Sequence, residues 1–285
     1  LQYRYVSYRT WGVNDNFVSE EAGMQPIDVD KQYHFFNPRA GVSYTLAERS
    51  NFYLSFAIAQ KEPTRSDFTD RYKFAADDSY PSSEKLYDWE LGYAYTAPRL
   101  SLGVNLYYMK YKDQLVPTGM VNDGDDALNV NVPDSYRRGV ELSASWRATG
   151  WFTVGANATF AQNRIENYVD ALKDSPTYGK ELGDRTIAYS PDVIANAFLD
   201  FHYRGFEAVL HTQYVGKQYF TNNENDALSL DAYCVTNLNL SYTFRTRAAR
   251  SVRLGLLVNN LFNAEYESNG YGYSYMDTWS GPAPV

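Results

Sequence analysis

The sequence lacks any apolar run near the roughly 20 residues that a helix needs to cross a bilayer. Mean hydropathy is −0.50. A transmembrane helix is excluded, but a membrane is not. A transmembrane β-barrel alternates apolar-out with polar-in, so its average hydropathy resembles that of a soluble protein. Cysteine is nearly absent. The single Cys234 rules out an internal disulfide and a paired-cysteine metal site. Its strand-like surroundings make it a small buried or half-buried hydrophobe. Basic excess is missing too: 26 Lys and Arg against 34 Asp and Glu leave a net charge of −8, which argues against nucleic acid as a partner. The three histidines, His34, His202 and His211, are scattered. His202 and His211 fall near one tight turn, where a polar lumen or interface role suits them better than a metal or haem site. No Gly-x-Ser-x-Gly, His-Glu-x-x-His or phosphate-cradling glycine loop occurs. Neither catalysis nor a resident cofactor is therefore expected. No internal repeat of fixed period is found. No signal peptide precedes Leu1, which already opens a strand-like pattern, so the N-terminus reads as cut.

Aromatics are what the chain has in excess: 27 Tyr, 15 Phe and 5 Trp. Such residues favour strands, and the alternation along the chain agrees. Leu100, Leu102, Val104, Leu106 and Tyr108 share one face; Ser101, Gly103, Asn105, Tyr107 and Met109 share the other. The same period of two runs through Gln32–Thr45, Asn51–Ala59, Glu84–Thr96, Tyr136–Ala148, Trp151–Gln162, Val193–Tyr203, Phe206–Tyr219, Leu230–Phe244 and the stretch from Ser251. With Leu1–Arg9 this predicts about eleven strands, most of them longer than the common five or six residues. That length suits a tilted membrane crossing of about nine to eleven residues with a protruding end.

The connections alternate. Short turns fall at Ala47–Ser50, Ala97–Arg99, Thr149–Gly150, Arg204–Gly205 and near Thr246–Arg250. Long polar connections cover about Thr10–Lys31, Gln60–Ser83, Gln114–Pro133 and Asn163–Ser190, with a shorter Asn- and Asp-rich one before Leu230. Bacterial outer-membrane barrels show this asymmetry, with short periplasmic turns and long extracellular loops. A soluble antiparallel sheet with one wet face would explain the alternation. It would not explain long strands combined with one-sided loop length. The expected fold is all-β, an antiparallel transmembrane barrel contacting outer-membrane lipid.

Three motifs carry a family resemblance. They are Glu62-Pro63-Thr64-Arg65-Ser66-Asp67-Phe68, Ser135-Tyr136-Arg137-Arg138-Gly139-Val140-Glu141-Leu142, and Val258-Asn259-Asn260-Leu261-Phe262-Asn263-Ala264-Glu265-Tyr266. In this order, on a barrel pattern, the chain resembles the C-terminal half of a TonB-dependent outer-membrane receptor. The resemblance implies a 22-stranded barrel, of which residues 1–285 would supply about eleven strands. The plug domain and the final strand would then lie outside this chain. The rest of the barrel would come from missing sequence or from another chain, because an open sheet cannot span a bilayer alone. Within the motifs, Glu62, Pro63, Thr64, Arg65, Arg138, Gly139, Glu141, Asn259, Asn260, Leu261 and Phe262 are expected to be structural.

The resemblance also implies a Gram-negative outer-membrane receptor that imports an iron chelate, haem or cobalamin, driven by a TonB complex acting through the plug. The alternatives are a passive porin or structural barrel without a plug, and a glycan importer paired with a surface lipoprotein. Arg65, Asp67, Asp123 and Tyr178 are candidate solute contacts by position on predicted external loops. The acidic runs Asn122–Asp126 and Asn222–Asp226 offer oxygen ligands for Ca²⁺ but lack a closing Glu at loop spacing, so both read as solvated acidic loops.

Overall fold

In the computed structural model, residues 1–14, 25–69, 80–121, 127–171, 175–247 and 249–271 are described. The elements are β1 (Gln2–Asn14), β2 (Gln25–Asn37), β3 (Arg39–Ala47), β4 (Ser50–Lys61), α1 (Arg65–Thr69), β5 (Glu84–Ala97), β6 (Leu100–Val121), β7 (Ala127–Arg147), β8 (Phe152–Ile165), β9 (Arg185–Thr186), β10 (Val193–Tyr203), β11 (Phe206–Val215), β12 (Gln218–Tyr219), β13 (Ser229–Leu230), β14 (Tyr233–Phe244) and β15 (Val252–Val258). The long strands pair antiparallel in the order β3-β4-β5-β6-β7-β8-β10-β11-β14-β15, and β1 pairs with β2. β2 and β3 form one strand interrupted at Pro38, which has no N–H for the ladder. The Pro38 carbonyl still accepts from the Ile58 amide at 2.9 Å, which keeps the wall continuous. Counted that way, the wall has the expected eleven strands. Among the described strands, β1 pairs on one side only, with β2, and β15 on one side only, with β14.

Register places like residues side by side. Val42, Leu54, Leu91, Leu106, Val140 and Phe160 are successive partners across six strands. This row stays open: Val42 is 63% exposed, Leu54 51% and Leu106 44%. Apolar exposure in unbroken rows is what a lipid-facing wall requires, and a water-facing sheet avoids it. The opposite face pairs polar groups across strands. Asn105 Nδ2 donates to Glu141 Oε2 at 3.1 Å, Asn196 Nδ2 to Asn157 Oδ1 at 3.1 Å and Ser43 Oγ to Asn51 Oδ1 at 2.9 Å.

Three expectations need correction. Gln114–Pro133 is not a loop: β6 and β7 continue as a hairpin, with Gln114 opposite Val132 and Val116 opposite Val130. Alternate residues Gln114, Val116 and Thr118 on β6, and Leu128 and Val132 on β7, are buried, so an inward face drives pairing despite the polar composition. The Asn222–Asp226 run is not a solvated acidic loop, because Asn222 is wholly buried. Cys234 is neither buried nor half-buried: it is exposed on β14. The Asn122–Asp126 run lies outside the described residues.

The buried apolar residues cluster at the long-loop end. Val116, Val132, Ile165, Tyr168 and Ile187 form one cluster, with Val130 and Leu182 packed against it. Ile27, Val29 and Phe68 form another, packed by Tyr8, Tyr33 and Tyr80. The wall needs no interior core of its own, since lipid takes its apolar face. The loops need one because they stand in water.

Candidate functional site

The first motif is a clamp between wall and loop. Glu62 pairs with the Arg4 guanidinium on β1, which also lies 5.0 Å over the Phe35 ring. Pro63 is buried. The Asp67 carboxylate accepts from Thr64 N at 2.6 Å, from Thr64 Oγ1 at 2.7 Å and from Asn129 Nδ2 at 2.9 Å. An acid in the first helical turn reaching back to the preceding N–H is half of a capping box. Its third bond ties α1 to the β6–β7 hairpin. Arg65 is exposed on α1.

From that hairpin the ties continue through Asn222. Its Nδ2 donates to the Pro117 carbonyl at 2.8 Å, and its Oδ1 accepts from the Ala188 amide at 2.8 Å. Glu224 accepts from the Thr186 amide at 2.8 Å and from the Thr186 hydroxyl. The Tyr189 amide donates to the Tyr219 carbonyl at 2.8 Å, and the Tyr189 hydroxyl donates to the Gly270 carbonyl at 2.6 Å. Burial pushes the Tyr168 phenol up to about 12. The described parts of the long loops are therefore tied into one interlocked crown.

Beneath this crown the polar face of the wall carries a recess of about 330 Å³, bordered by Tyr107, Arg137, Glu141, Asn163, Tyr189 and Ser190. Arg137 Nη1 donates to Ser190 Oγ at 3.0 Å and makes a longer bond to Asn163 Oδ1 at 3.4 Å. A fixed guanidinium beside phenols can hold a compact anionic or aromatic ligand.

Of the residues singled out in sequence, Tyr178 is exposed in the loop after β8, and Asp123 lies outside the described residues. No hydrogen bond or ion pair joins Arg65, Asp67 and Tyr178 among the described residues. Arg138 faces away from the recess: its guanidinium donates to Gln162 Oε1 at 2.6 and 2.8 Å and stacks over Tyr136. Its neighbour Arg137, which was not singled out, is the one at the recess. Strand parity held that signal, because Arg137 shares a face with Glu141 and Tyr107. In the third motif, Asn260 adopts φ 51°, and its side chain both donates to the Ala264 carbonyl and accepts from the Ala264 amide, at 2.9 and 2.8 Å. Leu261 N donates to the Thr236 carbonyl at 2.7 Å, and Tyr266 stacks on Tyr233 at 4.6 Å. This motif is a strand terminator. His202 lies beside Asp200 at 3.0 Å, opposite Glu207 rather than His211. Among the described residues no group of His, Cys, Asp and Glu could hold a metal ion.

A wall with an exposed apolar face, a polar opposite face, short turns at one end and interlocked loops at the other defines a transmembrane β-barrel protein. The family described as TonB dependent receptor-like, beta-barrel, matches residues 1–261. The chain belongs to this family, whose members are receptors and transporters of the Gram-negative outer membrane and not enzymes. A pesticin receptor of Yersinia enterocolitica is 26% identical over 190 residues, which is 66% of this chain and 26% of that receptor. Among solved structures, the ferric yersiniabactin uptake receptor of Yersinia pestis superposes with a TM-score of 0.63 at 19% identity, over 91% of this chain and 36% of that one. The ferric-catecholate import receptor of E. coli gives 0.63 at 19% identity, over 92% and 37%. The chain thus spans about a quarter of the length of that pesticin receptor and somewhat over a third of the two solved receptors.

Proposed function

We propose that this chain forms part of an outer-membrane importer. It captures a scarce solute of the iron-chelate, haem or cobalamin class, and within that class an anionic ferric chelate. Transport draws energy from a TonB complex acting through a plug domain carried elsewhere in the parent receptor, and further sequence of that receptor completes the barrel. The observation that carries this reading is Arg137, held by Ser190 and Asn163 in a recess on the polar face that Tyr107, Tyr189 and Glu141 also border. A charge-assisted, bidentate-capable donor among phenols suits an anionic chelate with aromatic oxygen ligands. Arg65 and Tyr178, exposed on the crown, are proposed as first contacts for the solute, with Asp67 bracing the helix that carries Arg65. The relatives' names support an iron-chelate ligand. The fold does not choose it, since a copper transporter superposes with a TM-score of 0.60. A passive porin would lack the plug domain, so a plug in the parent receptor separates the two readings.

Binding to the purified parent receptor tests this directly. A ferric catecholate chelate, followed by fluorescence quenching, should bind Arg137→Ala about tenfold or more weakly, as expected for losing a hydrogen bond to a charged group. Arg138→Ala, on the lipid side, should bind as the unaltered protein does. Equal affinity of all three proteins would remove Arg137 from the site and the observation from the reading.

A further inference from the structure

Every short turn of the wall carries or adjoins an exposed arginine. Arg49 follows β3, Arg99 follows β5, Arg147 ends β7 and Arg204 follows β10; Arg245, Arg247 and Arg250 lie between β14 and β15. None of them reaches a carboxylate among the described residues. The ion pairs at this end belong to Arg253 with Glu207 and to His202 with Asp200. At the other end of the wall several cations do have carboxylate partners. Lys110 and Lys112 share Asp134, Arg164 faces Asp192, Arg185 faces Glu224 and Lys217 holds Asp226. In a chain with a net charge of −8, the five short turns thus carry seven arginines against a single carboxylate, Glu48.

The residue type narrows the partner. No lysine lies in or beside these turns. Guanidinium is the more weakly hydrated cation, and its planar fork matches a phosphate with two parallel hydrogen bonds, whereas ammonium acts as a point charge. Position narrows it further. Just inside the rim, the outward face exposes Trp146, Trp151, Tyr203, Phe206 and Tyr242, which is the aromatic belt expected at headgroup level. The Arg204 guanidinium lies 5.1 Å over the Tyr203 ring, so charge and belt meet at one depth. Arginine stems can lie along apolar surface while the head stays in the polar layer.

We propose that this rim binds the phosphates of anionic phospholipid headgroups in the periplasmic leaflet. It would anchor the wall vertically by an arginine at each turn. The proposal rests on the barrel reading above, which makes the short-turn end periplasmic.

The test uses the purified parent receptor in mild detergent. It is incubated with phosphatidylglycerol or with phosphatidylcholine of the same acyl chains, and retained lipid is counted by native mass spectrometry. Retention of several phosphatidylglycerol molecules and little phosphatidylcholine is expected. Arg49→Gln/Arg99→Gln and Arg247→Gln/Arg250→Gln, made as separate double variants that each spare most of the rim, should lower phosphatidylglycerol retention about threefold. Combining them should lower it at least tenfold. Lys85→Gln/Lys112→Gln, at the opposite end, should leave it unchanged. Equal retention of the two lipids, or rim variants that match the unaltered protein, would overturn the proposal and leave the rim to an acidic periplasmic protein. Ferric chelate binding is measured on the same preparations. Its loss with lipid selectivity intact would sink the importer reading alone, and the converse would sink this proposal alone.

Discussion

Tyr107 on β6 lies directly opposite Gly139 on β7, and its phenol ring covers the glycine. A Cβ at Gly139 would sit 2.6 Å from the Tyr107 hydroxyl and 2.4 Å from the Phe160 carbonyl. Tyr53 covers Gly92 and Phe198 covers Gly155 in the same way. The glycine of the second motif is thus a seat for an aromatic ring on the neighbouring strand, a device that fixes register.

Gly139→Ala in the parent receptor should destabilise the barrel by about 1–3 kcal/mol through overpacking, read as a lower urea midpoint for loss of the heat-resistant band. Adding Tyr107→Ala should restore only part of this, because the Phe160 carbonyl is backbone and cannot step aside. Gly150→Ala, with nothing within 4 Å of its Cβ, should change little.

The apolar row predicts a sharp contrast between adjacent residues. Leu106→Arg puts a charge toward lipid and should cost about 2–4 kcal/mol if the row lies near the midplane. Asn105→Arg, one residue earlier on the polar face, should cost much less. Refolding equilibria in lipid vesicles would show the difference. Equal costs would mean that the faces are misassigned.

Asn222 bridges Pro117 and Ala188 while wholly buried. Asn222→Ala strands two backbone groups and should weaken the crown by about 2–3 kcal/mol. Hydrogen exchange should quicken at Ala188 and along Val116–Thr118, with the β10–β11 wall unchanged.

The Tyr168 phenol rises from 10.0 to about 12 because burial disfavours its charged form. The fold prefers the neutral phenol, so the stability this contributes is complete below pH 10 and is lost as pH climbs through 12. Tyrosinate absorbance should show one fewer residue ionising near pH 12 in Tyr168→Phe. Loss of a residue ionising near pH 10 instead would contradict the burial.

Strand parity, turn positions and the one-sided loop lengths were legible because a wall facing lipid on one side and polar on the other writes its period of two directly into the chain. Val193–Tyr203 matches β10 to the residue. The crown was not legible. Its order comes from single polar side chains such as Asn222 and Asp67, whose partners lie far away in sequence, and composition alone cannot separate a buried bridging amide from a solvated one. Arg137 was overlooked for a different reason. The motif drew attention to Arg138, while the face shared with Glu141 belongs to Arg137.

The proposed import is energy-coupled and passes the recess under the crown. The most direct test follows radio-iron from a ferric catecholate chelate into cells that express the parent receptor as their sole iron-chelate receptor. Uptake should saturate at submicromolar chelate, stop when an uncoupler collapses the proton motive force, and fall about tenfold with Arg137→Ala at limiting chelate. Uptake that rises linearly with concentration and ignores the uncoupler would mean a passive pore and rule out coupled import.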